Sequence, residues 1–178
     1  ACGDLEVGVI ALTDQSPAYA AGPDSPGTAY VPLAAGHPST LAALDQGLSD
    51  LETADPDLVV ASLHWGPNWT TEPDARQRSL AHWLVDHGVD VVHGHSAHVL
   101  QGVEVYEGRP IIYDAGDFVD DYVLKPEMRN DRSCLFELVV ADGRLDALEL
   151  LPVRIEDEAV AEFNDHMDSV LEKLGYDN

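Results

Sequence analysis

The spacing of short apolar runs constrains the fold of this chain more than any other feature. Three runs rich in β-branched residues are short enough to be buried strands, and they lie at Val7–Leu12, Asp57–Leu63 and Val89–Val92. Two stretches with apolar residues at helical spacing separate them, at Thr40–Glu52 and from Glu72 to His87. We expect Ser39 to cap the first helix and Gly88 to end the second. This order predicts an α/β fold whose parallel strands are joined by helical crossovers.

The second half of the chain has the pattern of antiparallel hairpins. One predicted hairpin spans Gly102–Asp114 and turns at Glu107-Gly108, and the other joins Ser133–Ala141 to Leu145–Val153. An amphipathic pattern predicts a closing helix over Val160–Leu174. The fold is therefore expected to be parallel in its first part and antiparallel later.

The length of the chain fits one domain. Residues 1–178 are enough to bury a sizeable core, and we expect a single domain over the whole range. Between the first strand and the first helix, Thr13–Pro38 is dense in Pro, Gly, Ser and Asp and predicts a long surface loop. So long a loop in a compact domain is usually functional or partly disordered.

The net charge limits which partners the chain can bind. Its 33 acidic residues outnumber its 9 basic ones and give a formal net charge of −24. Binding of nucleic acid requires Lys and Arg to neutralise phosphates, so we exclude that function, and anionic membranes are disfavoured for the same reason. Because the acids are spread along the chain, we interpret them as the adaptation of a halophile. Molar salt shortens the Debye length to about 3 Å and screens the self-repulsion.

Neither cysteine belongs to a metal-binding or disulfide pattern. Cys2 and Cys134 are the only two, and the apolar neighbours of Cys134 predict a buried core thiol. No apolar run is long enough to span a membrane, and the first residues lack the basic and apolar regions of a signal peptide. By itself the chain is expected to be soluble and cytoplasmic.

Three of the histidines that follow predicted strands are candidate metal ligands. His64 comes directly after the second strand, and His95 and His98 come shortly after the third. Loops at the carboxyl ends of parallel strands line the ligand crevice of open α/β sheets, so we expect these imidazoles at one edge. Imidazole is a ligand of Zn, Mn and Fe. Two interpretations stay open at this point: a divalent-metal site, or ordinary hydrogen-bonded loop histidines.

Other polar candidates are less specific. Asp117 follows Gly116 after a predicted strand and could orient a histidine or hold a water, whereas Asp120 and Asp121 are expected to be solvated. Gly94 is expected to let the backbone turn sharply and approach an ion. No phosphate-binding glycine loop and no nucleophile elbow occur in the sequence. The histidines expected to be solvated or merely packed are His37, His82, His87 and His166.

Several segments together resemble the poly-γ-glutamate capsule biosynthesis (CapA-type) family, a branch of the calcineurin-like metallophosphoesterases. The matching segments are Ser62–Trp69, Glu72-Pro73 with Arg76–Arg78, Val92–Gln101, Gly102–Tyr113 and Ala115–Tyr122. The resemblance runs from about Val7 to Arg154. It implies part of an α/β/β/α sandwich with two divalent ions (Mn, Fe or Zn) at the strand ends. Such ions activate a bridging water for attack on a phosphorus centre.

The resemblance implies a division of the metal ligands. His64 and His95 would ligate one ion and His98 the other, and His93 is the reserve ligand. A site of this kind also depends on groups that orient its histidines.

The same resemblance implies which residues act on the substrate. His95, His98 and Asp117 would be catalytic, since a histidine beside the activated water can serve as general acid. Asn68 and Arg109 would contact the substrate, which is expected to be a small molecule or an anionic polymer.

The chain departs from the family in its first half. The family begins with an Asp-bearing strand-end motif, an acidic motif and an Asn-His motif, and none of these occurs here. The chain therefore resembles the C-terminal half only, so activity is expected to need an N-terminal half, as a separate partner, or a homo-oligomer. The alternative is a non-catalytic scaffold or binding domain for an anionic polymer, with an incomplete metal site. The family also suggests the cell envelope as the place of action.

Overall fold

The computed structural model describes residues 5–119, 123–141, 143–156 and 159–162. Two helices lie in these ranges, α1 (Pro38–Ala54) and α2 (Ala75–Asp86). The strands are β1 (Val7–Thr13), β2 (Leu58–His64), β3 (Val91–His95), β4 (Val103–Tyr106), β5 (Arg109–Ile112), β6 (Arg132–Ala141), β7 (Arg144–Glu156) and β8 (Ala159–Glu162). A single 3₁₀ turn, Pro17–Tyr19, interrupts the long loop after β1. Neither α1 nor α2 is long and apolar enough to cross a membrane.

The first sheet has the predicted parallel order. Its strands lie side by side as β1-β2-β3-β5-β4, with β4 antiparallel to β5 and the other pairs parallel. The register aligns Thr13 with His64 and His64 with His95. The last residues of β1, β2 and β3 therefore meet at one edge of the sheet. The turn between β4 and β5 has positive φ at Glu107 (49°) and Gly108 (76°), as a type I′ hairpin turn requires.

One face of this sheet packs against both helices. Side chains that alternate along the strands, such as Ile10 and Leu63, meet helix residues in a single apolar core. Full burial of a side chain of this size contributes about 1.5–3 kcal/mol. The largest side chains of this core with at most 1% exposure are Trp65, Tyr113, Leu33, Leu44, Leu63, Leu80 and Leu84.

The helix ends confirm one predicted signal and correct another. Asp74 caps α2 in a capping box with Gln77, and Gly88 follows the helix with a φ of 95°. The predicted cap at Ser39 is wrong, because α1 already begins at Pro38. Proline has a fixed φ that suits the first helical turn, so Ser39 lies inside the helix.

The second sheet is antiparallel, as predicted, and is built on the β6-β7 hairpin. Its order is β6-β7-β8, and β8 pairs with the end of β7. The closing helix predicted from Val160 is wrong at residues 160–162, which form the ladder with β7 instead. The rest of that predicted helix, like Asp120 and Asp121, lies outside the described residues.

The second sheet lies over the part of the first sheet that contains β3 and β5. Between the two sheets is a cavity of about 410 Å³, lined by His93, Ile112, Cys134 and Phe136 among others. Cys134 is 3% exposed, which confirms the predicted core thiol, and burial raises its pKa to about 11. Helices, first sheet and second sheet are thus three of the four layers that the resemblance implies.

The second sheet leaves β1 uncovered. Val7 and Val9 point away from the helices and are 43% and 56% exposed, although both are apolar. β1 is also one of the two edge strands of the first sheet. In the described part of the chain, one face of this strand is therefore open, and so is its outer edge before Thr13, which pairs with Ala29 and Val31.

Candidate metal centre

His64 and His95 lie side by side at the carboxyl edge of the first sheet. They end β2 and β3 and are paired in the ladder. Their ring centroids are 5.2 Å apart, and the ring planes differ by 11°. Both line a cavity of about 280 Å³ beside β1, together with Thr13 and Ser62. The fold therefore brings these two imidazoles together at the strand ends, as the sequence predicts.

Two hydroxyl groups next to these imidazoles were missed by the sequence analysis. Thr13 Oγ1 lies 3.3 Å from Nδ1 of His64 and donates to the His64 carbonyl at 3.1 Å. Ser62 Oγ lies 3.5 Å from Nε2 of His95. Ser62 could have been found, because alternate residues of a strand share a face with the strand-end histidine. Thr13 could have been found as the last residue of the neighbouring strand.

Burial keeps His95 neutral. Burial, together with the neighbouring His93 and His64, lowers the pKa of His95 to about 4. The rings of His93 and His95 are 5.6 Å apart, and burial also lowers the pKa of His93. A neutral imidazole has a nitrogen lone pair to offer at neutral pH. It is the protonation state in which histidine ligates metals.

His98 forms a separate group with Asp117. Nδ1 of His98 lies 2.9 Å from Oδ1 of Asp117. Its ring stacks on Trp69 at 5.1 Å, and Nζ of Lys125 lies 4.0 Å from the centroid of the Trp69 ring. Trp69 and Lys125 were not expected here, since no spacing in the sequence relates them to His98. The predicted link between Asp117 and a histidine has a direct contact to support it.

Asp114 joins the two loops that carry this pair. Its side chain is buried, and the residue is 1% exposed. Oδ2 accepts from the Ala97 N–H at 2.7 Å, and Oδ1 accepts from the Gly116 N–H at 3.0 Å. Burial raises the pKa of Asp114 to about 6, while these two backbone hydrogen bonds act in the opposite direction.

The two predicted substrate contacts lie in different places. Asn68 is exposed in the loop after β2, next to Trp69. Arg109 begins β5 and forms an ion pair with Asp90, just before β3. The register places Arg109 level with Asp90, five residues before His95 and about 16 Å along the sheet. The fold therefore does not bring Arg109 to the edge where His95 lies.

Gly94 has a different role from the one expected. It lies within β3 and not in a sharp turn. A Cβ at this position would be 2.0 Å from the Tyr113 carbonyl oxygen and 2.5 Å from Nε1 of Trp65. Those two atoms form a hydrogen bond of 2.9 Å with each other. Glycine is required because an indole and a neighbouring backbone come close, not because the chain must approach an ion.

The side chains at this edge are of the type that binds a divalent ion, but there are too few of them for a complete site. Within the described ranges, no group of three or more His, Cys, Asp or Glu side chains is placed to hold a metal ion. Zinc sites take three or four protein ligands. His64 and His95 supply two suitable nitrogens, so a complete site needs donors from elsewhere.

Comparison with known proteins identifies the family. The model of the family "Bacterial capsule synthesis protein PGA_cap" matches residues 1–122 of the 178. A probable polyglutamine synthesis accessory protein of Mycobacterium tuberculosis is 40% identical over 104 residues, which are 56% of this chain and 27% of that protein. The capsule biosynthesis protein CapA of Bacillus anthracis is 35% identical over 108 residues, which are 61% of this chain and 26% of CapA.

Two further comparisons involve another capsule protein and a solved structure. The PGA biosynthesis protein CapA of Bacillus subtilis is 35% identical over 105 residues, or 59% of this chain and 27% of that protein. A hypothetical protein of Thermus thermophilus has a solved structure with a TM-score of 0.47 and 21% identity, covering 66% of this chain and 51% of that one. The chain spans about a quarter of the length of the curated relatives it matches. Since the family model covers well over half of its residues, this chain belongs to the bacterial capsule synthesis protein PGA_cap family.

Proposed function

We propose that this chain supplies the histidine-bearing part of a metal-dependent hydrolase of the phosphoesterase type that serves poly-γ-glutamate capsule biosynthesis. The observation that carries the proposal is the pair of neighbouring imidazoles, His64 and His95, at the carboxyl edge of a parallel sheet. Ligands bind at that edge in open α/β sheets. We infer the biosynthetic process from the relatives that are named for capsule or PGA biosynthesis.

In the proposed hydrolase, the histidines of this chain would have two roles, metal binding and proton transfer. His64 and His95 hold a Mn, Fe or Zn ion, and Thr13 at Nδ1 of His64 leaves Nε2 as the ligating nitrogen. A divalent ion held there would supply a water that is nucleophilic at neutral pH and would polarise a phosphoryl oxygen. Asp117 would fix the tautomer of His98 through Nδ1, and His98 would hold a second ion or take part in proton transfer.

The ligands still needed would come from outside this chain. Two imidazoles fall short of a closed site, and the relatives are about four times as long as the stretch they share with this chain. An N-terminal half, on the same or another polypeptide, is the proposed source. A homo-oligomer that apposes two such edges is the other source.

A second function is favoured by the same shortage of ligands. The chain would then be a binding or scaffold domain for an anionic polymer, without turnover. The mycobacterial relative is named an accessory protein, which fits a supporting role. With a net charge of −24, such a domain would bind a polyanion only where salt or metal ions screen the repulsion.

Metal binding by the protein in molar KCl tests the proposal. We expect calorimetric titration with Mn²⁺ or Zn²⁺ to give one binding event that His64→Ala with His95→Ala abolishes. His87→Ala is the matched control, because His87 is exposed at the end of α2 and should leave the titration unchanged. Equal binding by the double variant and the wild type would overturn the assignment of these ligands.

Turnover separates the two functions. Hydrolysis of bis-p-nitrophenyl phosphate with Mn²⁺, by this chain alone or with an added N-terminal half, is expected for the hydrolase. Metal binding without turnover in either assay would favour the scaffold.

A further inference from the structure

Asp114 occupies the point where two strand-end loops meet. It follows β5, and its two carboxylate oxygens accept from backbone N–H groups of different loops. One donor is Ala97, the residue before His98, and the other is Gly116, the residue before Asp117. A single buried side chain therefore fixes the backbone immediately ahead of both members of the His98–Asp117 pair.

The loops that Asp114 joins have backbone conformations that need external support. Ser96 has a φ of 140° and His98 a φ of 60°, which residues with a Cβ adopt only rarely. Such conformations persist where surrounding contacts impose them. The Asp114 bond to Ala97 lies between these two strained residues. Without this bond, the loop after β3 would lose a hydrogen bond that holds the backbone between Ser96 and His98.

We propose that Asp114 is a positioning residue. Its carboxylate holds the loops after β3 and β5 at a fixed position relative to each other, so that the His98 imidazole contacts Asp117. The importance of His98 rests on the proposed function, but the positioning itself needs no metal. Because a carboxylate only accepts, Nδ1 of His98 must carry the proton in this contact. Asp114 thereby keeps His98 where Asp117 can fix this tautomer.

Only a carboxylate can make both bonds. An asparagine offers one oxygen and one NH₂ group, and the NH₂ group would face one of the two backbone N–H donors. Asp114→Asn is nearly isosteric, so it removes one bond without opening a cavity. Asp114→Ser is a smaller second variant that removes the carboxylate altogether.

Asp90 provides a matched control at the other end of the same sheet. Its Oδ2 also accepts from a backbone N–H, that of Val59 at 2.8 Å, and the residue precedes the same strand β3. Asp90→Asn therefore removes a comparable carboxylate from the opposite edge. Loss of stability alone would affect both variants, whereas loss of His98 positioning would affect only the Asp114 variants.

The test is imidazole nitrogen NMR on the full chain without metal, with the His98 signals assigned by His98→Gln. In the wild type and Asp90→Asn we expect His98 to hold the Nδ1–H tautomer, with a slowly exchanging Nδ1 proton. In Asp114→Asn, Asp114→Ser and the positive control Asp117→Asn we expect that proton signal to be lost. An unchanged His98 signal in folded Asp114 variants, or an equal loss in Asp90→Asn, would overturn the proposal.

A second readout separates this proposal from the proposed function. If the wild type binds Mn²⁺, Asp114→Asn is expected to weaken the affinity about 10-fold, as loss of an outer partner of a ligating histidine does. Absence of Mn²⁺ binding in the wild type would refute the metal site. The NMR result would still decide whether Asp114 positions His98.

Discussion

At Gly94, the space for one methyl group decides whether β3, β5 and the loop after β2 fit together. The Trp65 indole donates to the Tyr113 carbonyl directly over this glycine. Both Trp65 and Tyr113 are 1% exposed, so neither can move towards solvent without opening the core. The requirement for glycine here is steric and long-range. Sequence spacing gives no hint of it, because it depends on which strand lies beside β3.

We expect Gly94→Ala to lower the free energy of unfolding by about 1–3 kcal/mol, the usual cost of forcing an extra methyl group into a packed core. Urea denaturation in molar KCl measures it. Gly36→Ala is the control, because a Cβ at Gly36 meets nothing within 4 Å. That control should change stability by less than about 0.5 kcal/mol. Equal stability of the two variants would contradict the steric argument.

At the scale of the elements, α2 and the β4-β5 hairpin are joined through Glu104. Oε1 of Glu104 lies 2.8 Å from Nε2 of His82 on α2, and Oε2 accepts from the Tyr113 hydroxyl at 2.6 Å. Partial burial raises the pKa of Glu104, but the bonds from Tyr113 and His82 outweigh it and the net shift is downward. The ionised form is therefore favoured by folding.

This shift predicts how stability depends on pH. Because the folded pKa of Glu104 is depressed, its contribution is present above its usual value of 4.5 and is lost as the pH falls through the folded pKa. Glu104→Gln should lower stability at pH 7 by roughly 1 kcal/mol, given partial exposure. The difference from the wild type should shrink below pH 4.5. Melting curves from pH 3 to 8, with the exposed Glu149→Gln as control, would contradict this if the two variants behaved alike.

The order of elements could be read from the sequence because each buried parallel strand is a short apolar run. His64 and His95 could be placed together for the same reason: both directly end such runs, and parallel neighbours share an edge. The misplaced cap at Ser39 and the helix predicted from Val160 were local patterns overruled by a neighbouring proline and by pairing with β7. Asp114 and Trp69 could not have been assigned, since their roles depend on contacts between distant loops.

At the scale of the whole molecule, the net charge of −24 predicts a dependence on salt. The Debye length falls from about 10 Å at 0.1 M to about 3 Å at 1 M, so repulsion between acidic groups weakens steeply over that range. We expect the melting temperature to rise with KCl, mostly below about 1 M if screening is the cause. Sucrose at equal osmolality is the control for solvent exclusion. A melting temperature independent of KCl would contradict adaptation to high salt.

The uncovered strand β1 gives high salt a second, unfavourable effect. Charge repulsion keeps copies of the chain apart in dilute buffer, but concentrated electrolyte removes it and leaves the bare valines of β1 able to meet other apolar surfaces. Light scattering in molar KCl should therefore reveal concentration-dependent association. Val9→Lys on the open face should suppress it, whereas Gln46→Lys, which adds the same charge at an exposed polar position of α1, should not. Molar salt is then expected both to stabilise the fold and to favour contact between β1 and an apolar surface of another protein molecule.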